Sequence, residues 1–384
     1  MIEQIKLEDV CDVIAGQSPP SSTYNQEGNG TPFFQGKADF GEIYPTVRYW
    51  CDSPKKMSEP DDILFSVRAP VGPTNINNIN ACIGRGLAAI RCKEIERNYL
   101  LHYLRGNEVK ISSLGSGSTF KAITIGTLKD LKIPLPPLDQ QKKIAAILDA
   151  ADAYRQKTKA LIEKYDELSQ SLFLDMFGDP VTNPMGWEII SLVDYGSFKN
   201  GLNFGRNESG VKLKYLGVGN FKSFYKIDDL DTLSSVELNN LPSEGYLLKD
   251  GDLVFVRSNG NKALVGRCIE IICGGTMLTF SGFCIRYRVT SEKVKPSYLA
   301  QLFRNKSFKS LMLQGGRGAN IQNINQKILS EIRIPVPETS LQDKFITSIK
   351  AIEEQKAQAQ ASLAQAEDLF NSLLQRAFKG ELTN

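Results

Sequence analysis

Two long stretches of the chain carry apolar residues at alternating gaps of three and four. In the first, Ile144, Ile147, Ala151, Tyr154, Thr158, Leu161, Tyr165, Leu168 and Leu172 form one helical stripe, with no proline or glycine in residues 139–177. The second is looser and rich in alanine and glutamine: Phe345, Ile349, Ile352, Ala359, Leu363, Leu369 and Leu373. Each follows a proline-closed strand end, "KIPLPPLDQQKKI" (132–144) and "RIPVPETSLQDKF" (333–345), with Asp139 and Ser340 expected as helix caps. A helix of about 40 residues is about 60 Å long and cannot bury its own stripe. The two helices are therefore expected to pack on each other as an antiparallel rod.

The rest of the chain has a different period. Short β-type runs, "ILFSV" (63–67), "LAAIRC" (87–92), "DLVFVR" (252–257) and "FCIRYRV" (283–289), stand between Gly, Asn and Pro turns. Short helices are expected at 98–112 and 296–312. The pattern also repeats. At an offset of 201 residues "DELSQSLFLDMF" (166–177) falls on "EDLFNSLLQRAF" (367–378). Upstream, with a drifting offset, residues 5–16, 31–40 and 60–70 resemble 189–201, 213–222 and 249–259. Drift through loops and locking in helices marks a duplicated domain. The expected fold is mixed α/β (α+β). A first domain covers 1–137, a spacer helix 138–178, a second related domain 179–337 and a second spacer helix 338–380. The two long antiparallel helices form a coiled-coil spacer between the heads, with pseudo-twofold symmetry.

Charge sharpens this division. Lys+Arg against Asp+Glu is 15 to 15 in residues 1–137, 6 to 8 in 138–186, 20 to 13 in 187–337 and 5 to 7 in 338–384. The third segment is thus +7, which permits a polyanionic partner without requiring one. No apolar run is long enough to span a membrane, and the N-terminus lacks a secretory pattern. The seven cysteines include no Cys-x-x-Cys pair, so free thiols in a reducing cytoplasm are expected.

Signs of catalysis are sparse. His102, the one histidine, sits in an apolar helical run and reads as a packed or capping residue. No cluster has metal-ligand spacing, and no phosphate-binding glycine loop is present. Loops rich in hydrogen-bond donors stand out instead. "SLGSGSTFKAIT" (113–124) and "LQGGRGANIQNIN" (313–325) occupy the same place in the two halves, just before the proline-closed strand. They offer Ser116, Ser118, Thr119 and Lys121 in one half, and Arg317, Asn320, Gln322 and Asn323 in the other. Arginine reads guanine edges, Asn and Gln read adenine, and Lys and Ser hold phosphates. The bland alternative is that such loops are flexible turns. Further candidates are Gln35, Lys37 and Arg68 in the first half, and Asn220, Lys222, Arg257, Asn259, Asn261, Lys262 and Arg267 in the second. For Arg68 and Arg257 a structural role is equally open, pairing with Asp62 or Asp252.

Taken together, "DDILFSVRAPVG", "KIPLPPLDQQKKIAAILD", "SLFLDMFGDP", "GDLVFVRSNG" and "RIPVPETSLQDKF", in the order head, helix, head, helix, resemble the specificity (S) subunit of type I restriction-modification systems. The resemblance covers essentially the whole chain. It implies two target recognition domains, each reading half of a bipartite double-stranded DNA sequence. It also implies docking of methyltransferase (M) subunits and of a motor-nuclease (R) subunit. No cofactor is expected on this chain; S-adenosylmethionine, ATP and Mg would belong to the partners. The departure is the polar, alanine-rich second helix. Rival readings are a fused single-chain nuclease or methyltransferase, and a coiled-coil scaffold that binds no DNA.

Overall fold

A computed structural model describes residues 3–116, 121–205, 208–222, 226–227, 229–314 and 323–382. The chain divides into two compact units. Unit 1 is Met1–Ala160 with Gln360–Asn384, and unit 2 is Leu161–Ala359. Each unit therefore holds one head and part of each long helix, Leu138–Phe177 and Thr339–Lys379.

In unit 1, four antiparallel strands lie in the order Cys11–Ala15, Leu87–Cys92, Ile63–Ser66, Thr74–Ile76. A second sheet contains Thr31–Phe34 paired parallel to Ala81–Ile83. The run "ILFS" is apolar without alternation because both of its faces are covered. Ile63 and Phe65 join the core built with the helices, while Leu64 packs toward the second sheet with Leu87 and Ala89. Unit 2 repeats this arrangement. Leu253 and Phe255 face the helix core, and Val254 and Val256 face a separate cluster with Ile269 and Cys284. There, Val211–Leu216 pairs parallel to Leu278–Phe280.

Each central strand starts from the same buried clamp. Asp62 is 1% exposed, accepts the Glu59 N–H at 2.8 Å and takes two guanidinium bonds from Arg91 at 2.9 and 3.0 Å. Asp252, also 1% exposed, accepts the Lys249 N–H at 2.7 Å and two bonds from Arg288 at 2.7 and 2.6 Å. The preceding residue is left-handed in both, Asp61 at φ 73° and Gly251 at φ 81°. These aspartates take Arg91 and Arg288, not the Arg68 and Arg257 considered from sequence.

The proline-closed strands end as expected. Lys132–Pro134 pairs with Gln4–Lys6, and Arg333–Val336 with Glu188–Ser191. The helix starts then depend on a buried glutamine. Gln141 donates to the Pro136 carbonyl at 2.8 Å and accepts the Glu96 N–H at 2.8 Å. Gln342 donates to Pro337 and Lys293 carbonyls at 2.8 and 2.9 Å and accepts the Lys295 N–H at 2.9 Å. Each glutamine thereby joins its long helix to the start of a head helix, Arg97–Gly106 or Pro296–Arg304. The caps lie earlier than expected. Pro137 and Glu338 carbonyls receive the first helical N–H groups, so Asp139 and Ser340 fall inside the first turn.

Five of the nine predicted stripe positions on the first helix, Ile144, Ala151, Thr158, Tyr165 and Leu172, face inward, and the alternate four are displaced by one residue. Ile147, Tyr154, Leu161 and Leu168 are exposed. The inward positions, fully or partly buried, are Gln141, Ile144, Leu148, Ala151, Arg155 and Thr158 in unit 1, and Ile162, Tyr165, Ser169, Leu172 and Met176 in unit 2. On the second helix Leu369 is exposed, and Lys356, Ala366, Phe370 and Ala377 join the inward set. Both seams now alternate gaps of four and three in the same register, 201 residues apart. Within unit 1 the two helices run antiparallel. The Arg155 guanidinium stacks on Phe370 at 4.5 Å, and Lys159 reaches Glu367 at 3.5 Å. Within unit 2 they do the same: Lys356 bonds Asp166 at 2.7 Å, and Phe173 and Phe177 meet Phe345 at 5.7 and 5.0 Å. His102 is a packed residue, its Nε2 2.7 Å from Asp149 and its ring edge-on to Phe370.

Candidate nucleic-acid interface

Several strand ends of each head meet at one edge. In unit 1, Ala15 lies opposite Ala88, Ser66 opposite Leu87 and Phe34 opposite Ile83. The backbone then converges on the turn Gly84–Gly86. Gly84 N–H donates to Phe34 at 2.8 Å, Val67 N–H to Gly86 at 3.0 Å and Gly16 N–H to Leu87 at 3.0 Å. A Cβ on Gly16 would collide with the Gly84 carbonyl, so glycine is required for this approach.

The donor-rich loop joins the same edge. Ile123 N–H donates to the Val67 carbonyl at 3.0 Å, Arg68 bridges Ala122, and Ser116 and Ala122 exchange two bonds of 3.0 Å. Exposed Gln35, Arg68, Ser116 and Lys121 thus share one rim. Lys37, also exposed, stands on the short turn Lys37–Asp39 beside it. Asp39 holds that turn by accepting the Gln35 N–H at 2.6 Å and two bonds from Arg48 at 2.9 and 2.6 Å. Ser118 and Thr119 lie outside the described residues.

Unit 2 repeats these bonds with other side chains. Ser281 N–H donates to Leu216 at 3.0 Å, Arg257 N–H to Phe283 at 2.8 Å and Ile324 N–H to Arg257 at 2.9 Å, while Ser258 bridges Asn323. By these bonds Arg257 takes the place of Val67, and Ser258 that of Arg68. Aligning the letters "VR" in both halves is therefore wrong by one residue. Such a slip turns a side chain to the other face. Arg68 is exposed, whereas Arg257 is half-buried.

The remaining unit 2 candidates divide by what their polar atoms do. Asn220 accepts the Gly217 N–H at 2.9 Å and shapes the turn after Val211–Leu216. Lys222 closes that turn, Val218–Lys222, and only its backbone is described. Asn259 accepts the Asn261 N–H at 2.7 Å, and Asn261 accepts the Ala263 N–H at 3.0 Å, which presents Lys262 to solvent. Arg267 is half-buried. It neighbours Lys309, whose ammonium is held below its ordinary pKa by burial first and by the Arg267 charge second. Arg317, Asn320 and Gln322 lie outside the described residues.

Sequence reasoning missed three exposed or basic groups at this edge: Arg85, Phe283 and Lys309. The signal for the first two was a three-residue turn between consecutive strands, "GRG" (84–86) and "SGF" (281–283); the first was passed over as a turn, and Phe283 was assigned to the β run 283–289, which starts at Cys284. Lys309 lay in an expected helix; its Nζ reaches back to the Ala263 carbonyl at 3.1 Å.

A family model described as type I restriction modification DNA specificity domain matches the chain twice, over residues 2–164 and 184–366. The chain is 48% identical over 178 residues to the putative type I restriction enzyme MjaX specificity subunit of Methanocaldococcus jannaschii, covering 45% of this chain and 42% of that protein. That alignment spans less than half of the relative's length. The type I restriction enzyme StySPI specificity subunit of Salmonella potsdam is 25% identical over 379 residues, 91% of this chain and 80% of that one. A crystal structure of the type I restriction-modification system S subunit from M. genitalium has the same fold. It matches with a TM-score of 0.60 at 18% identity, covering 98% of this chain and 96% of that chain.

Proposed function

Because the chain belongs to the type I restriction-modification DNA specificity family, we propose that it is the non-catalytic sequence-recognition subunit of such a complex, each head reading one half of a bipartite duplex target. One observation carries this reading. Both heads build the same edge from equivalent backbone bonds, yet dress it with different exposed side chains. That is what two readers with different targets need: phosphate contacts position a head, and base contacts specify its sequence. Exposed Arg68, Lys121 and Lys262 suit the first task. With both heads on one chain, the second half-site binds at high effective concentration once the first is engaged.

The proposed partners are methyltransferase subunits and, with them, a motor-nuclease subunit, all acting on DNA in the cytoplasm. S-adenosylmethionine, ATP and Mg would sit on those partners. Exposed apolar residues flanking the seam, Ile147 and Tyr154 in unit 1 and Leu161 and Leu168 in unit 2, supply each unit with apolar surface for a methyltransferase subunit. Among the described residues no helix is long and apolar enough to cross a membrane.

Methylome sequencing of cells with and without the gene tests the proposal. Adenine methylation at one bipartite motif should vanish when the gene is deleted. An unchanged set of methylated motifs would sink the reading.

A further inference from the structure

The turn that joins the last two strands of each head's edge is three residues long. It is Gly84–Arg85–Gly86 between Ala81–Ile83 and Leu87–Cys92, and Ser281–Gly282–Phe283 between Leu278–Phe280 and Cys284–Val289. Each turn is closed by its own bond, Leu87 N–H to Gly84 at 3.0 Å and Cys284 N–H to Ser281 at 2.8 Å. Neighbouring strand ends bond to its first and third residues, so its backbone is fixed from several sides.

Crowding then decides where a side chain can stand. A Cβ on Gly86 would lie 2.5 Å from the Gln35 carbonyl oxygen, so unit 1 presents its side chain at the second position, Arg85. In unit 2 the second position is Gly282, where the Asn203 side-chain amide occupies the space a Cβ would take, and the side chain stands at the third, Phe283. Both project into solvent, Phe283 at 60% exposure. The Arg85 N–H is anchored by the Ser18 hydroxyl at 3.1 Å, and its guanidinium has no hydrogen-bond or ion-pair partner among the described residues. This exposed phenylalanine, on a firmly held turn beside Arg257 and Ser258, joins no hydrophobic cluster among the described residues.

We propose that this turn is a base-reading finger, with Arg85 selecting a base in one half-site and Phe283 in the other. The proposal rests on the DNA-recognition reading above and assigns its specificity. A guanidinium donates two parallel bonds to guanine O6 and N7. A phenyl ring has no donor; it contacts the thymine methyl or wedges at a flexible base step. The same backbone device therefore poses different chemical questions in the two heads.

Selection of bound sequences from a random duplex pool by the full-length chain tests the finger. The wild type should enrich a bipartite motif. Arg85→Ala should lose a guanine preference at one position of one half, with discrimination falling on the order of tenfold. Arg85→Lys should retain overall affinity yet lose that same preference, because an ammonium cannot reproduce the bidentate fork. Phe283→Ala should relax a position in the other half, and Phe283→Leu should relax it less. Unchanged motifs in all four variants would overturn the finger, as would a uniform loss of affinity without change of motif. A wild type that enriches no motif would overturn the DNA-recognition reading itself, and the finger with it.

Discussion

Unit 1 and unit 2 solve the same construction problem with the same bonds, but the surroundings of those bonds differ. Asp62 and Asp252 both hold the start of a central strand through an arginine on the adjacent strand. The Arg91 side chain is 32% exposed and has a second carboxylate partner, Glu59, at 2.9 Å, while Arg288 is 22% exposed and also donates to the Leu247 carbonyl at 2.9 Å. The long-helix seam differs in kind. Position 155 holds an arginine stacked on Phe370, and the matching position 356 holds a lysine 8% exposed and bonded to Asp166. Residue identity recurs where a backbone bond demands one chemistry, as at Asp62 and Asp252 or Gln141 and Gln342. It diverges where the position demands only volume or charge. The duplicated heads are thus one scaffold with independently chosen fillings.

The clamp offers the largest test of that statement. Asp252→Ala leaves the Arg288 guanidinium without its carboxylate and exposes the turn's bonding groups, so it should cost about 3–5 kcal/mol. Asp62→Ala should cost less, because Arg91 keeps Glu59 and more solvent. Urea unfolding of both variants checks this. Equal losses would show that the surroundings do not matter.

The seam is a smaller test. A double-mutant cycle on Asp166→Ala and Lys356→Ala in unit 2 should give a coupling of about 1–2 kcal/mol, since the lysine is largely out of water. The same cycle on Lys159→Ala and Glu367→Ala in unit 1 joins half-exposed groups and should give less than about 0.5 kcal/mol. If the unit 1 pair couples as strongly, the distinction between a buried register-setting cation and a surface pair fails.

Much of this was legible in the chain, and the errors have physical causes. The duplication, both long helices and the proline-closed strands were readable because helical periodicity and proline's fixed φ leave direct marks. Four of the nine stripe positions on the first helix were misplaced by one residue, and at two of them hydrophobicity favours Tyr154 and Leu168 over the true inward Arg155 and Ser169. The buried glutamine at each helix start, Gln141 or Gln342, lies on the true seam, and glutamine carries no apolar signal. Arg68 and Arg257 were equated because letters were matched; the clamped aspartates define the register instead. The proposed recognition edge was legible only in its loops, which recur in both halves; a side chain placed by backbone crowding at Gly86 depends on strands from distant parts of the chain. Ser118, Thr119, Arg317, Asn320 and Gln322 fall outside the described residues.

The subtlest contrast sits one strand from the clamp. Ile76 lies opposite Ile63 in unit 1, and Glu270 lies opposite Leu253 in unit 2; both are 8% exposed. Burial raises the Glu270 carboxyl above its ordinary pKa. The Ser297 hydroxyl, donating at 2.7 Å, and the charge of Lys226 offset this only in part. A raised folded-state pKa means that the folded chain binds the proton more tightly than the unfolded chain. The associated stability is fully present below the ordinary carboxylate pKa and is lost as pH rises through the elevated one. Above the ordinary carboxylate range, ionising Glu270 therefore carries a cost that Ile76 does not. Glu270→Gln should raise the melting temperature slightly near about pH 7 and leave it unchanged near about pH 4. Ile76→Glu should import the same pH-dependent loss into unit 1. It should be deeper there, because Asn98, the counterpart of Ser297, already donates to Asp149 at 2.7 Å. Thermal melting of the two variants at both pH values decides it. A Gln variant no more stable than wild type at neutral pH would mean that Ser297 and Lys226 fully compensate the buried charge, and that the two heads are balanced at this position after all.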